Sequence, residues 1–289
     1  MGNSRACLRG VTLHQLGAVA HAVRREMDPG DEVTSIVDRN INYTNVCIYR
    51  CRFCVFCHKP EEQGAYVLPF EMIAKKVDET VAAGGTGILL QGGDHPALRI
   101  DFYEGLLRQL KTAFPAVHLH AFSASEIWYI AKGERLPLSH VIARLRAAGL
   151  ESIPGGGAEV LEDETRRRIW SHAKVSAVQR LGVHREAHRQ RMRTTATMMC
   201  GVGEDHTARI EHLLPVIAGR HGRVHGVHFM DVPGREHGAG GRGAGLGRLR
   251  LPQDAGDRPI RLRQRAARSR VLGDAKAQDR ATVTLFRCR

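Results

Sequence analysis

Three cysteines carry the first chemical signal in this chain. Cys47, Cys51 and Cys54 stand in a C-x3-C-x2-C spacing inside the segment 42–57, Asn-Tyr-Thr-Asn-Val-Cys-Ile-Tyr-Arg-Cys-Arg-Phe-Cys-Val-Phe-Cys. Three thiolates on one short loop can reach three corners of an iron-sulfur cube and leave its fourth iron open for chemistry. A closed zinc site with Cys57 as the fourth thiolate is the plainer alternative. Structural zinc sites usually draw on two separated pairs, however, and Cys7, Cys200 and Cys288 form no second pair. The cluster reading stands ahead, with Cys57 a small neighbour of the ligands. Four cysteines packed this closely are too tight for a disulfide framework and fit metal ligation in a reducing compartment.

Two glycine-rich segments and four histidines are the other candidates. Gly92 and Gly93 precede Asp94 and His95; the pair is either a tight turn or a place where backbone groups approach a ligand closely. Gly155, Gly156 and Gly157 precede Glu159, and the entropy lost in ordering three glycines favours a close backbone approach. His118, His120, His184 and His188 suggest a metal, but the last two lack a HExxH pattern and read as solvated or hydrogen-bonded helix residues.

The elements that would position these residues alternate regularly. Apolar periodicity and Gly/Pro punctuation predict helices at 13–26, 69–83, 101–114, 138–148 and 208–218, and further helices between 162 and 190. Strands are expected at 33–43, 86–91, 117–122, 151–154 and 193–199. Five strand-helix units with short loops imply an α/β fold with a parallel sheet, either doubly wound or a TIM-type barrel. The polar and Gly-rich segments recur where strands end, which is where barrels gather function.

Length and charge bound the rest. At 289 residues the chain can form two ordinary domains or one α/β barrel. No apolar run is long enough to span a membrane and no signal-peptide layout opens the chain, so a cytoplasmic protein is expected. The net charge of +13 would suggest nucleic acid or an acidic membrane surface as partner. Its distribution excludes that: residues 1–219 hold 27 Lys+Arg against 24 Asp+Glu, whereas 220–289 hold 16 against 6. In that last segment 15 of the 16 bases are Arg, 11 residues are Gly, and Phe229 and Phe286 are the only aromatics.

Five motifs in order resemble one family. Asn-Tyr-Thr-Asn-x-Cys-x3-Cys-x-Phe-Cys at 42–54, Gln-Gly-Gly-x-His-Pro at 91–96, His-Ala-Phe-Ser-x-x-Glu-Ile at 120–127, Ser-Ile-Pro-Gly-Gly-Gly-Ala-Glu at 152–159 and Thr-Thr-Ala-Thr-Met-Met at 194–199 are similar to the radical S-adenosylmethionine enzymes of the futalosine route to menaquinone. The segments 91–96 and 152–159 favour the branch that cyclises dehypoxanthine futalosine over its sisters, aminofutalosine synthase and the deazaflavin (FO) synthase subunit. The resemblance spans about residues 13–214 and implies a radical SAM barrel. It also implies that Cys47, Cys51 and Cys54 hold a [4Fe-4S] cluster whose open iron is chelated by S-adenosylmethionine. A reduced cluster, fed by a ferredoxin or flavodoxin, would release a 5′-deoxyadenosyl radical that abstracts hydrogen from the substrate ribose before ring closure. Gly92 and Gly93 would lie against the methionyl amine, Gly201 and Glu204 near the adenine, and His120, Ser123, Glu126 and Glu159 against the substrate. The chain departs from the family pattern at Cys57, commonly aromatic, and at Arg180, where Trp is usual.

A larger departure begins near residue 219. The family continues with Phe-Thr-Ala-Phe-x-x-Trp-Thr-Phe-Gln; this chain reads Gly-Arg-Val-His-Gly-Val-His-Phe-Met-Asp-Val at 222–232. Back-translation with GC-rich codons and a one-nucleotide advance recovers Phe-Thr-Ala-Phe-Thr-Ser-Trp-Thr-Phe-Gln. The Trp is forced, because Met230 is encoded only by ATG and the Asp231 codon begins with G. The expected organisation is a barrel over 1–219, an N-terminal helix plus five strand-helix units, incomplete after the fifth. Residues 220–289 would be an out-of-frame, disordered segment that leaves the fifth strand with an unpaired edge. A plain basic disordered tail fits the composition but not the recovered motif.

Overall fold

The computed structural model describes residues 11–27, 36–49, 51, 54, 56–169, 174–218 and 224–231. The elements run α1 (Leu13–Met27), β1 (Asp38–Asn42), α2 (Phe70–Ala82), β2 (Gly87–Gln91), α3 (Ile100–Ala113), β3 (His118–Ala121), α4 (Ala124–Glu134), α5 (Leu138–Ala148), β4 (Ser152–Ile153), α6 (Asp163–Ile169), α7 (Ala177–Arg189), β5 (Arg193–Cys200), α8 (His206–Ala218) and β6 (Val224–Asp231). The six strands lie in sequence order and every neighbouring pair is parallel. A doubly wound sheet reverses its strand order at a switch point. This sheet has none, so the winding is that of a barrel, open between β1 and β6 among the described residues.

Strand alternation separates two faces. Ile41, Ile88, Leu90, Leu119 and Ile153 are buried in one apolar core with Ile73 and Val77 of α2, Leu107 and Leu110 of α3, Ile127 of α4, and Val141, Ile142 and Leu145 of α5. The residues between them, among them Gln91 and His120, fall on the opposite face by the two-residue period of a strand. Tyr43, directly after β1, is fully buried and meets Tyr103 and Phe122 edge-on at 6.0 and 5.8 Å.

Three expectations change. The strand at 33–43 shortens to β1, with Ile36 and Val37 exposed and 33–35 outside the described residues. Helix α4 is not among the expected helices: only its first three residues fall in the stretch 120–126 read as polar strand-end matter, and it begins with a capping box of Ser123 and Glu126. Finally, β5 has no unpaired edge: β6 pairs with it in parallel from Thr194↔Val224 to Cys200↔Asp231. The backbone of β5 offers donors and acceptors whatever side chains its partner carries, and Val-His-Gly-Val-His-Phe-Met-Asp holds enough β-branched and aromatic residues to extend. The disorder expected from 220 onward therefore fails at 224–231, and 232–289 lie outside the described residues.

Candidate cofactor site at the carboxyl ends of the strands

The Asn-Tyr-Thr-Asn motif ties the cysteine loop to the end of β1. The Tyr43 hydroxyl donates to Glu126 Oε1 at 2.7 Å. Thr44 Oγ1 donates to the Tyr66 carbonyl at 2.6 Å and accepts from the Val46 N–H at 3.2 Å. Asn45 donates to the Gly64 carbonyl and accepts from the Tyr66 N–H, both at 2.8 Å. Cys47 and His58 close the loop's base through the Cys47 N–H to the His58 carbonyl at 3.1 Å. A turn brings the Cys54 N–H to the Cys51 carbonyl at 3.0 Å. The Cys57 thiol donates to the carbonyls of Cys47 and Tyr49 at 3.5 and 3.4 Å, which stiffens the loop from inside.

The end of β2 lies hard against this loop. A Cβ on Gly93 would stand 2.2 Å from the Val46 carbonyl oxygen and 2.7 Å from Cys47 Cβ, so only glycine fits. The Gly93 N–H is taken by the Thr44 carbonyl and the Gly92 N–H by Glu126, at 3.1 Å each. The Asp94 and Tyr49 N–H groups both reach Cys47 Sγ at 3.4 Å. Cys51 Sγ accepts from the Lys174 ammonium at 3.4 Å. Such N–H···S contacts are those that iron-sulfur ligands take. Burial first, then the Asp94 charge, pushes Cys47 up to about 12; burial pushes Cys51 up to about 11 against the pull of Lys174. Both stay thiols until a metal's charge deprotonates them. Among the described residues no three metal-ligating side chains are drawn into a ready-made cage. Cys47 is half-buried, Cys51 buried and Cys54 exposed. The donor set fits a cluster bound by three thiolates of one loop.

Two buried carboxylates stand beside the thiols. Asp94 Oδ2 accepts from Ser125 Oγ at 3.1 Å, and Glu159 Oε1 pairs with Lys174 at 3.5 Å, but Asp94 Oδ1 and Glu159 Oε2 are buried with no partner. Burial lifts Asp94 to about 6, and Lys174 opposes that shift. Arg180, which stands where the resembled family usually has Trp, is fully buried, and its Nη2 donates to the Gly155 and Gly156 carbonyls at 2.6 Å each. The glycine run approaches another strand here: a Gly155 Cβ would lie 2.4 Å from the Ala196 carbonyl carbon of β5. Thr195 and Thr197 fix that contact through the Gly155 N–H and carbonyl at 2.9 and 2.6 Å.

The remaining candidate residues sit in defined networks. Ser123 and Glu126 cap α4, and the second Glu126 oxygen accepts from the Ser123 N–H at 2.7 Å. His120 Nδ1 and His118 Nε2 both meet Ser152 Oγ at 2.7 Å, and His120 Nε2 meets Thr195 Oγ1 at 3.3 Å. Glu204 accepts from the N–H groups of Gly201 and Val202 and from Arg209 at 2.6 Å, closing the loop after β5. His188 bonds Thr194 Oγ1 at 2.9 Å, as a hydrogen-bonded helix residue should. His184 is half-buried; its Nδ1 is buried without a hydrogen-bond partner, and burial holds its basicity well below the usual imidazole range. Lys174 went unseen as a site residue because a lone Lys in a polar segment carries no sequence signal. The S-x-x-E pattern at Ser123 was available as a capping signature.

Known proteins are similar to this chain in sequence and in fold. A cyclic dehypoxanthine futalosine synthase of Halalkalibacterium halodurans is 42% identical over 201 residues, covering 70% of this chain and 54% of that protein. A 5-amino-6-(D-ribitylamino)uracil--L-tyrosine 4-hydroxyphenyl transferase of Gloeobacter violaceus is 41% identical over 202 residues, covering 68% and 51%. The chain thus spans about half the length of these relatives. The fold is that of methylornithine synthase PylB, with a TM-score of 0.61 and 19% identity over 80% of this chain and 64% of the other. The [FeFe]-hydrogenase maturase HydG gives 0.60 and 14% over 78% and 49%. The Radical SAM superfamily model matches residues 41–214, from within β1 into α8. The chain therefore belongs to the radical SAM superfamily, whose enzymes use a [4Fe-4S] cluster and S-adenosylmethionine.

Proposed function

We propose that this chain is a radical SAM cyclase that converts dehypoxanthine futalosine to its cyclic product in menaquinone biosynthesis, in the cytoplasm, with reducing electrons from a ferredoxin or flavodoxin. The observation that carries the reading is the pair of partnerless buried carboxylate oxygens, Asp94 Oδ1 and Glu159 Oε2, beside the cysteine loop. An orphaned buried acceptor calls for a donor. The ammonium of S-adenosylmethionine would be such a donor for Asp94, and a substrate hydroxyl for Glu159. Cys47, Cys51 and Cys54 would hold the cluster. The carbonyls of Gly92 and Gly93, whose N–H groups are already taken, are left to face the methionyl amine. Gly201 and Glu204 would border the adenine. His120 and Glu159 would contact the substrate, and Ser123 and Glu126 would fix the wall behind it through the start of α4. The bound pair of cofactors supplies a hydrogen-abstracting radical; the chain's own groups orient it and keep water out.

A second reading is favoured by the tyrosine transferase relatives, at 41–42% identity over 65–68% of this chain. Anaerobic reconstitution followed by turnover with dehypoxanthine futalosine, or with 5-amino-6-(D-ribitylamino)uracil plus tyrosine, separates the two. Added S-adenosylmethionine should change the cluster's EPR signal. An unchanged signal sinks both and leaves a non-catalytic iron-sulfur or zinc module.

The out-of-frame reading of the last segment is part of the proposal. The family match stops at residue 214 and the Arg/Gly-rich composition begins at about 220. Resequencing across codons 214–224 tests it. An intact frame there overturns it.

A further inference from the structure

Lys174 is a buried cation placed against a proposed cluster ligand. Its ammonium lies 3.4 Å from Cys51 Sγ and 3.5 Å from Glu159 Oε1, and its side chain is only 10% exposed. Arg166 fixes the backbone on both sides of the contact. One guanidinium nitrogen donates to the Ala158 and Val160 carbonyls, which flank Glu159, at 2.7 and 3.0 Å; the other donates to the Val175 carbonyl, next to Lys174, at 2.6 Å. The capping box of Ser176 and Gln179 then starts α7 directly after it. The lysine is thereby held from two elements.

The three cysteines are not equivalent. Cys47 Sγ takes two neutral backbone N–H donors, whereas Cys51 Sγ takes a donor carrying a full charge. Charge in a low-dielectric interior acts strongly over such distances. Hydrogen bonds to sulfur and local charge are the means by which a protein sets a cluster's reduction potential. Reduction adds one negative charge to the cluster, which a cation on Cys51 stabilises and the Glu159 carboxylate opposes.

We propose that Lys174 is a positioning residue that raises the reduction potential of the cluster through its charged hydrogen bond to Cys51, with Glu159 as the counterweight that limits the effect. The inference rests on the reading of Cys47, Cys51 and Cys54 as cluster ligands. EPR-monitored redox titration of the anaerobically reconstituted full chain, with dithionite as reductant, tests it. At the potential where half of the wild-type cluster is reduced, Lys174→Met should lower the reduced-to-oxidised ratio about tenfold, which for one electron is about 59 mV. Lys174→Arg should restore most of the wild-type value, and Glu159→Gln should move the midpoint the other way. A Lys174→Met protein with wild-type iron and sulfide that titrates at the wild-type midpoint overturns the inference and leaves the ligand assignment standing. Should Lys174→Met assemble no cluster, Glu159→Gln decides, and an unchanged or lower midpoint overturns it. Wild-type protein that binds no cluster overturns the ligand assignment and this inference together.

Discussion

Asp94 and Glu126 are carboxyls that the fold buries among carboxylates and phenols. Burial raises Asp94 to about 6; burial, then the neighbouring Asp94 charge, raises Glu126 to about 8. A carboxyl whose folded value lies above its unfolded one adds stability that is complete below the unfolded value and is lost as pH rises through the folded value. For Asp94 that window runs from 3.8 to about 6, and for Glu126 from 4.5 to about 8. The unfolding free energy of the metal-free protein should therefore fall as pH rises from 5 to 8, by up to about 1.4 kcal/mol per pH unit per group, and its thermal midpoint should fall with it. Glu126→Gln should flatten the upper part of that fall. A rising midpoint over the same range would contradict the burial of both carboxyls.

The elements owe their geometry to a few local contacts. Ser123 and Glu126 start α4, so Ser123→Ala should cost about 1 kcal/mol in urea denaturation, the ordinary loss for an N-cap. A loss of activity with unchanged stability would support direct substrate contact by Ser123. Gly93 lets the end of β2 touch the cysteine loop, and Gly93→Ala would drive a methyl into the Val46 carbonyl and Cys47. That variant should fold but lose most of its iron on reconstitution, measured per protein by colorimetric assay. Full iron loading would show that the loop is free to move away from β2. Both contacts were legible as patterns before their purpose was. The family resemblance places Ser123 and Glu126 against the substrate and Gly92 and Gly93 against the methionyl amine; the structure adds that the first pair caps α4 and that Gly93 packs on the cysteine loop.

At the scale of the molecule, the sheet is a partial barrel with β1 and β6 each paired on one side among the described residues. Open parallel edges invite pairing with other chains. If 220–289 is read out of frame, a gene with the one extra nucleotide removed should give a protein that is less prone to aggregate and more stable to heat. It should also cleave S-adenosylmethionine reductively, and the present chain should do so poorly. Size-exclusion chromatography and detection of 5′-deoxyadenosine compare the two, and equal behaviour would remove the frameshift as an explanation of the Arg-rich segment.

The sequence by itself determined the cysteine loop, five of the six strands and the parallel winding, because those follow from spacing and from apolar periods that act within a dozen residues. It also marked Arg180 and Cys57 as departures. Only the tertiary structure decided what they do: Arg180 seals the carbonyls of the glycine run, and Cys57 ties two carbonyls inside the loop. The placement of Lys174 on Cys51, 123 residues away in sequence, and the pairing of β6 with β5 belong to it as well. Contacts between residues so far apart depend on how the strands stack, and no local pattern in the chain encodes that.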